Sequence, residues 1–173
     1  MIRFRFEPQV AVEAVLYIAH HSQDPTSHRI SKIFYFADRM HLTRYGRFIC
    51  GDTYIAMQNG PVPSGIYDML KDSRGNARAY RYIESVGAFD IVNGYRVVPG
   101  RAPNRNWLSD SNVACIDEAL EQYDDKSFGE LTELSHDAAW CDADPNGRIS
   151  VESILSSMEN SEALLAHLLE PMP

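Results

Sequence analysis

A mainly α-helical α+β fold is the class this sequence predicts: a compact helical domain of about six helices, with a small antiparallel sheet or hairpin inserted between two helical halves. Three observations lead there. Apolar side chains recur at helical spacing through Val10, Ala11, Ala14, Val15 and Ile18, and again through Ile30, Ile33, Phe34, Ala37, Met40 and His41. Ser127 and Glu130 have the spacing of a capping box ahead of Leu131 and Leu134. Between these regions, Phe89–Val92 and Tyr95–Val98 flank Asn93-Gly94, a dipeptide whose turn has the twist of paired strands.

The elements follow in order. Ile2, Phe4 and Phe6 alternate with Arg3 and Arg5 as a strand-like arm. Pro8 suits the first turn of a helix because its missing N–H would have no partner there. Asp24-Pro25 is turn chemistry, and Ser27 is the expected cap of a second helix that ends near Gly46. Thr53–Met57 reads as a short strand, ended by Asn59-Gly60-Pro61, and a helix with Ile66, Met69 and Leu70 on one side starts at Pro63 or Ser64. Asp72–Arg78 is polar and reads as a mobile loop. After the hairpin and a Pro/Gly/Arg-rich connection, Ser109 caps a helix carrying Val113, Ile116, Ala119, Leu120 and Tyr123. Asp142–Gly147 turns the chain, Ser150 begins another helix, and Glu162–Leu169 forms a tail helix before Pro171.

The 173 residues are expected to form one domain, 1–173. No apolar run approaches the roughly 20 residues that span a bilayer, which points away from a membrane partner. The first residues lack the apolar stretch of a signal peptide. Cys50, Cys115 and Cys141 are odd in number and form no CxxC, so they read as free thiols of a cytoplasmic protein. The net charge of −8 is uneven. Residues 1–70 hold seven basic and six acidic side chains, residues 71–109 seven and three, and residues 110–173 two and fifteen. The simplest reading of this asymmetry is a set of solvated acidic helices beside a basic middle.

Two blocks stand out. One is Gln58-Asn59-Gly60-Pro61-Val62-Pro63-Ser64-Gly65-Ile66-Tyr67, running on to Leu70-Lys71; the other is Leu131-Thr132-Glu133-Leu134-Ser135-His136, followed by Trp140. With Lys32-Ile33-Phe34-Tyr35-Phe36-Ala37, His41-Leu42 and Tyr45-Gly46 ahead of them, they give three segments in a fixed order. This order resembles the Panacea domain, the SocA-like antitoxin family found beside toxin genes and in prophages. The likeness spans roughly residues 10–155, and Gln58-Asn59 stands where the family often has an aromatic or basic residue. The resemblance implies an antitoxin that neutralises a cognate toxin protein by direct binding. It also implies an alternative role as an adaptor that delivers a partner to a protease. The residues themselves offer no catalytic set, so no catalytic residue, cofactor or metal is expected, and homo-oligomerisation stays open.

The residues the resemblance singles out are Gly60, Pro61, Val62, Tyr67, Lys71, His136 and Trp140. Gly60-Pro61-Val62 reads first as strand termination setting the entry to the next helix, and second as partner contact. Tyr67 is either a core-edge aromatic or an interface anchor. His136 reads as a helix-end histidine bonding a carbonyl and meeting the helix dipole, ahead of a general base acting with Asp137 or Asp142. Trp140 reads as a core plug packed on His136 or the first helices, ahead of a binding hot spot.

Other signals are weaker. The histidines form no HExxH, and a zinc site of His136, Cys141 and a distant ligand has little to support it. Asp142, Asp144, Asn146 and Gly147 match the first half of a calcium loop, but Ser153 occupies the position that needs a bidentate carboxylate, so a polar turn is expected. Lys71, Arg74, Arg78, Arg81, Arg101 and Arg105, with Tyr80 and Tyr82 among them, have the composition of a nucleic-acid surface. The overall acidity of the chain sets that reading behind protein binding.

Overall fold

The structure, a computed structural model, describes residues 1–75, 79–159 and 161–170. Asn76–Arg78, the end of the expected loop, and the tail from Pro171 lie outside the described residues. The elements are α1 (Pro8–His21), α2 (Ser27–Tyr45), β1 (Tyr54–Met57), β2 (Gly60–Pro63), α3 (Ser64–Asp72), β3 (Phe89–Val92), β4 (Arg96–Pro99), α4 (Asp110–Tyr123), α5 (Phe128–Ser135), α6 (Ala138–Asp142), α7 (Val151–Ser156) and α8 (Glu162–Leu169). The fold is mainly α with two small antiparallel two-stranded sheets, β1–β2 and β3–β4. The eight described helices exceed the expected six or so, in part because α6 has five residues and cannot display a 3.6-residue period.

Two helices form the centre. α1 is buried from Val10 to Ala19 on every side, and α2 from Ile30 to Asp38. α2 packs on α4, α5, α3, α7 and β2, while α1 is covered by β4, α3, α4 and α2. A helix buried all round is surrounded by other elements rather than laid on a surface. α2 stops at Gly46, whose φ of +70° ends the helix in the left-handed region. Its cap lies one residue before the expected one: Thr26 Oγ1 accepts from Arg29 N, while Ser27 Oγ donates to the Tyr95 carbonyl. The Ser109 and Ser150 caps and the Ser127–Glu130 capping box form as the sequence predicts.

The β1–β2 region departs from expectation. Gly60-Pro61 does not end the sheet; it begins β2, which folds back on β1 around Gln58-Asn59 with Met57 opposite Gly60 and Ala56 opposite Pro61. Ala56 sends its N–H to the Gly147 carbonyl, and its own carbonyl accepts from Asn146 N. The ladder therefore asks no donor of its partner Pro61, and the ring is tolerated there. The Asp142–Gly147 segment is the expected polar turn, docked along the outer edge of β1. The Ile2–Phe6 arm keeps its alternating exposure but joins neither sheet. Phe6 packs where Gly65 has no side chain, and a Cβ at Gly65 would come within 2.5 Å of the ring.

Buried carboxylates pin the loops. Asp38, fully buried, accepts from Ile49 N and the Tyr54 hydroxyl at 2.7 Å each. Burial pushes its carboxyl up to about 7 against both donors. Asp52 accepts from Gly65 N and Ile66 N at 2.9 Å, serving as a cap for α3 delivered from outside the helix. Glu13 receives a two-pronged contact from Arg101 at 2.7 and 2.9 Å and the Asn104 N–H at 2.6 Å. Burial raises its carboxyl, and these partners outweigh that to hold it below the usual range.

Replacing Asp52 by Ala removes the acceptor for two buried N–H groups at the α3 N-terminus. The expected loss is about 1–3 kcal/mol of unfolding free energy, read from urea denaturation.

Candidate protein-binding site

The segments singled out in the sequence meet beneath the β1–β2 hairpin. α2 contributes Lys32, whose side chain is 1% exposed and whose ammonium donates to the Pro61 carbonyl at 2.9 Å. Burial lowers this ammonium to about 7. β2 contributes Gly60 at φ +103°; a Cβ there would overlap Ser135 Oγ and lie 2.9 Å from Lys32 Nζ. α5 contributes Ser135, fully buried, its hydroxyl donating to the Thr132 carbonyl. Gly60 thus lets a strand, a buried lysine and a helix end approach one another, and any side chain would force them apart.

Beyond Ser135, His136 caps α5, its backbone N–H donating to the Thr132 and Glu133 carbonyls. Its ring stacks on Trp140 at 3.7 Å with planes 13° apart, and the indole N–H donates to the Met57 carbonyl at 2.9 Å. Trp140 is a half-buried plug between α5 and the end of β1, packed on His136 as one of the two expected contacts. His136 takes its predicted helix-end place but makes its bonds to carbonyls through the backbone. Its Nε2 is buried with no hydrogen-bond partner among the described residues. Asp137 faces elsewhere: it accepts from Trp140 N at 3.0 Å and the Tyr35 hydroxyl at 2.7 Å, and it pairs with Arg39. His136 and Asp137 of the general-base reading are adjacent in sequence but not joined by their side chains.

On the other side of the hairpin opens a pocket of about 380 Å³ between α2, the β1–β2 turn and the Asn93–Tyr95 turn. Lys32 and His28 line it from α2, Val62 and Tyr67 from the β2–α3 segment, with Tyr95 and Phe128 also on its walls. Tyr95 and Phe128 are 52% and 55% exposed, large apolar surface at the mouth. His28 stacks on Phe128 at 3.9 Å and its Nε2 meets Thr132 Oγ1 at 3.1 Å. Burial and the Lys32 charge lower its imidazole to about 4.

Comparison with protein-family models matches residues 30–141 to the antitoxin SocA-like, Panacea domain. The chain belongs to that family. The comparisons with curated proteins and with solved structures return no match. The matched span of the Panacea domain runs from α2 to α6, so it contains both sheets and Gly60, Pro61, Val62, Tyr67, Lys71, His136 and Trp140, but not His28 of the pocket. The central α1 and the closing α7 and α8 lie outside it.

Within the domain, Gly60, Pro61, Val62 and Tyr67 gather at the hairpin, and His136 and Trp140 lie behind it. Lys71 is exposed near the end of α3 and does not line the pocket. The basic segment does not form one open surface. Arg81 pairs with Asp68 and Asp72, Arg101 is held by buried Glu13, and Arg105 lies 5.3 Å over the Tyr17 ring. Arg78 lies outside the described residues. Sequence reasoning passed over His28 and Phe128, exposed-looking residues that only the packing of α5 on α2 joins. It also passed over Lys32 as a buried charge, although a lysine inside the apolar Ile30–Ala37 stretch was a visible irregularity.

Gly60→Ala is expected to destabilise the domain by more than about 1 kcal/mol, from the positive φ and the overlap with Ser135 together, as measured by chemical denaturation. Lys32→Met tests the buried ammonium by pH. The unfolded lysine titrates near 10.5 and the folded one near 7. Folding therefore expels a proton between those values, and wild-type stability rises with pH in that window. Plotted against pH from 7 to 10, wild type gains stability relative to Lys32→Met; parallel curves would contradict the burial of a charged lysine.

Proposed function

We propose that this Panacea domain, taken over residues 1–173 as one unit, neutralises a cognate toxin protein by direct binding. The face around the β1–β2 hairpin is the contact surface in this reading. The observation that carries it is the pocket, which joins residues of separate family segments to exposed aromatic side chains. Lys32, Val62 and Tyr67 line it, with Tyr95 and Phe128 on its walls and Arg74 beside them. Tyrosine and arginine around a partly enclosed apolar pocket are the composition of interface hot spots, where a few side chains dominate affinity. Among the described residues no helix is long and apolar enough to cross a membrane. The Asp137 contacts to Tyr35, Arg39 and Trp140 also favour a structural role for the His136–Trp140 end of the site.

Co-expression with the product of the neighbouring reading frame tests the proposal. That product should arrest growth alone, and this chain should restore growth and co-elute with it. Tyr67→Ala should weaken the complex about tenfold or more, about 1.4 kcal/mol, while leaving the far-ultraviolet circular dichroism unchanged. A harmless neighbour, or a toxin that is not bound, would count against the proposal.

A further inference from the structure

We propose that the pocket beside the β1–β2 hairpin is a carboxylate site, filled by an aspartate or glutamate side chain that the partner protein presents. This deepens the antitoxin reading and rests on its claim that the surface meets a protein.

The chain has 24 acidic side chains, and none of them lines this pocket. Its lining instead holds Lys32, Arg74 and the half-buried His28. An acid-free, cation-bearing concavity in a chain of net charge −8 is complementary to an anion.

Lys32 is incompletely paired. An ammonium has three N–H donors. One reaches the Pro61 carbonyl at 2.9 Å, and among the described residues no carboxylate lies within ion-pair distance. The other inward-facing charges of the domain are matched: Glu13 by Arg101, Asp137 by Arg39, and Asp52 by backbone N–H groups. Buried Asp38 and Asp52 are each met by two or more neutral donors, whereas buried Lys32 has a single acceptor for its three donors. Such a group is costly in an apolar setting, and an incoming carboxylate offsets that cost. Burial has already lowered the ammonium to about 7, so an ion pair formed there restores its charged state.

The pocket also has the shape for a side chain. Gly60 lets the hairpin close on Lys32, so that the ammonium is held against the Pro61 carbonyl where Lys32 lines the pocket. Met57 and Val62 provide apolar wall, and Tyr67, Tyr95 and Phe128 surround the opening. The volume of about 380 Å³ is at the small end of ligand sites, enough for a side chain whose methylene stem crosses an apolar mouth to a charged floor. Exposed Arg74 at the edge provides a second cation for acidic residues that flank the inserted one.

The test titrates the full chain with phenylacetate and with neutral phenylacetamide, following the backbone amide signals of residues 57–60 and 62 by NMR. The carboxylate should give saturable shifts and the amide none. Lys32→Met, which keeps an apolar stem of similar length, should lose at least tenfold in affinity, and the exposed change Arg74→Gln should lose less. No saturable response in wild type, or an unchanged response in Lys32→Met, overturns the site. A second arm measures the neighbouring-gene toxin against wild type and both variants. Weakening by both supports the partner's side chain as the ligand, whereas unchanged affinity overturns that assignment. A wild type that binds phenylacetate but forms no complex with the toxin defeats the antitoxin reading and the partner side chain together, and identifies a free small carboxylate as the ligand.

Discussion

The contact between the Lys32 ammonium and the Pro61 carbonyl fixes the geometry on which the rest of the site depends. It joins the central helix α2 to a hairpin whose second strand has two prolines and therefore few N–H groups to offer a sheet. A two-stranded ribbon is marginal by itself in water. Here the ribbon is held from three directions: by Lys32 on one side, by the Asn146–Arg148 segment along β1, and by the indole N–H of Trp140 on the Met57 carbonyl. The tip at Gln58-Asn59 is left exposed between two concavities, one lined by Tyr67 and Val62 and the other by Trp140 and Pro145.

The same device recurs around the core. Asp38, Asp52, Glu13 and Asp137 each reach from a helix or loop to backbone N–H groups or a basic side chain far along the chain. A short helix such as α6 has too little apolar surface to dock by burial alone. Directional bonds at its N-terminus, from Asp137 to Trp140 N and to Tyr35 on α2, fix its angle instead. The motifs of the Panacea family thus divide physically. Gly60, Ser135, His136 and Trp140 set how elements approach one another, and Val62 and Tyr67 face the pocket that they shape.

Much of the secondary structure was legible because its causes are local. The stripe on α2, the capping box of α5, the Asn93-Gly94 turn and the serine caps of α4 and α7 each depend on residues within a few positions of one another. The role of Gly60-Pro61 was misread for the opposite reason. A proline ordinarily stops a ladder, and only the partner strand's bonds to Asn146 and Gly147 show that no donor is wanted at that position. His28 and Phe128 carried no local signal, since their stack exists only once α5 lies on α2.

By itself the sequence determined the mainly helical class, the caps of α4, α5 and α7 and the ordered segments that place the chain in its family. Periodicity, caps and turn residues act over a few positions and survive without knowledge of the fold. The tertiary structure alone decided that a lysine within an apolar stripe would be buried without a carboxylate, and that glycine, serine and hairpin would close around it. Burial and charge pairing depend on which distant segments meet, and spacing along a single chain does not encode that.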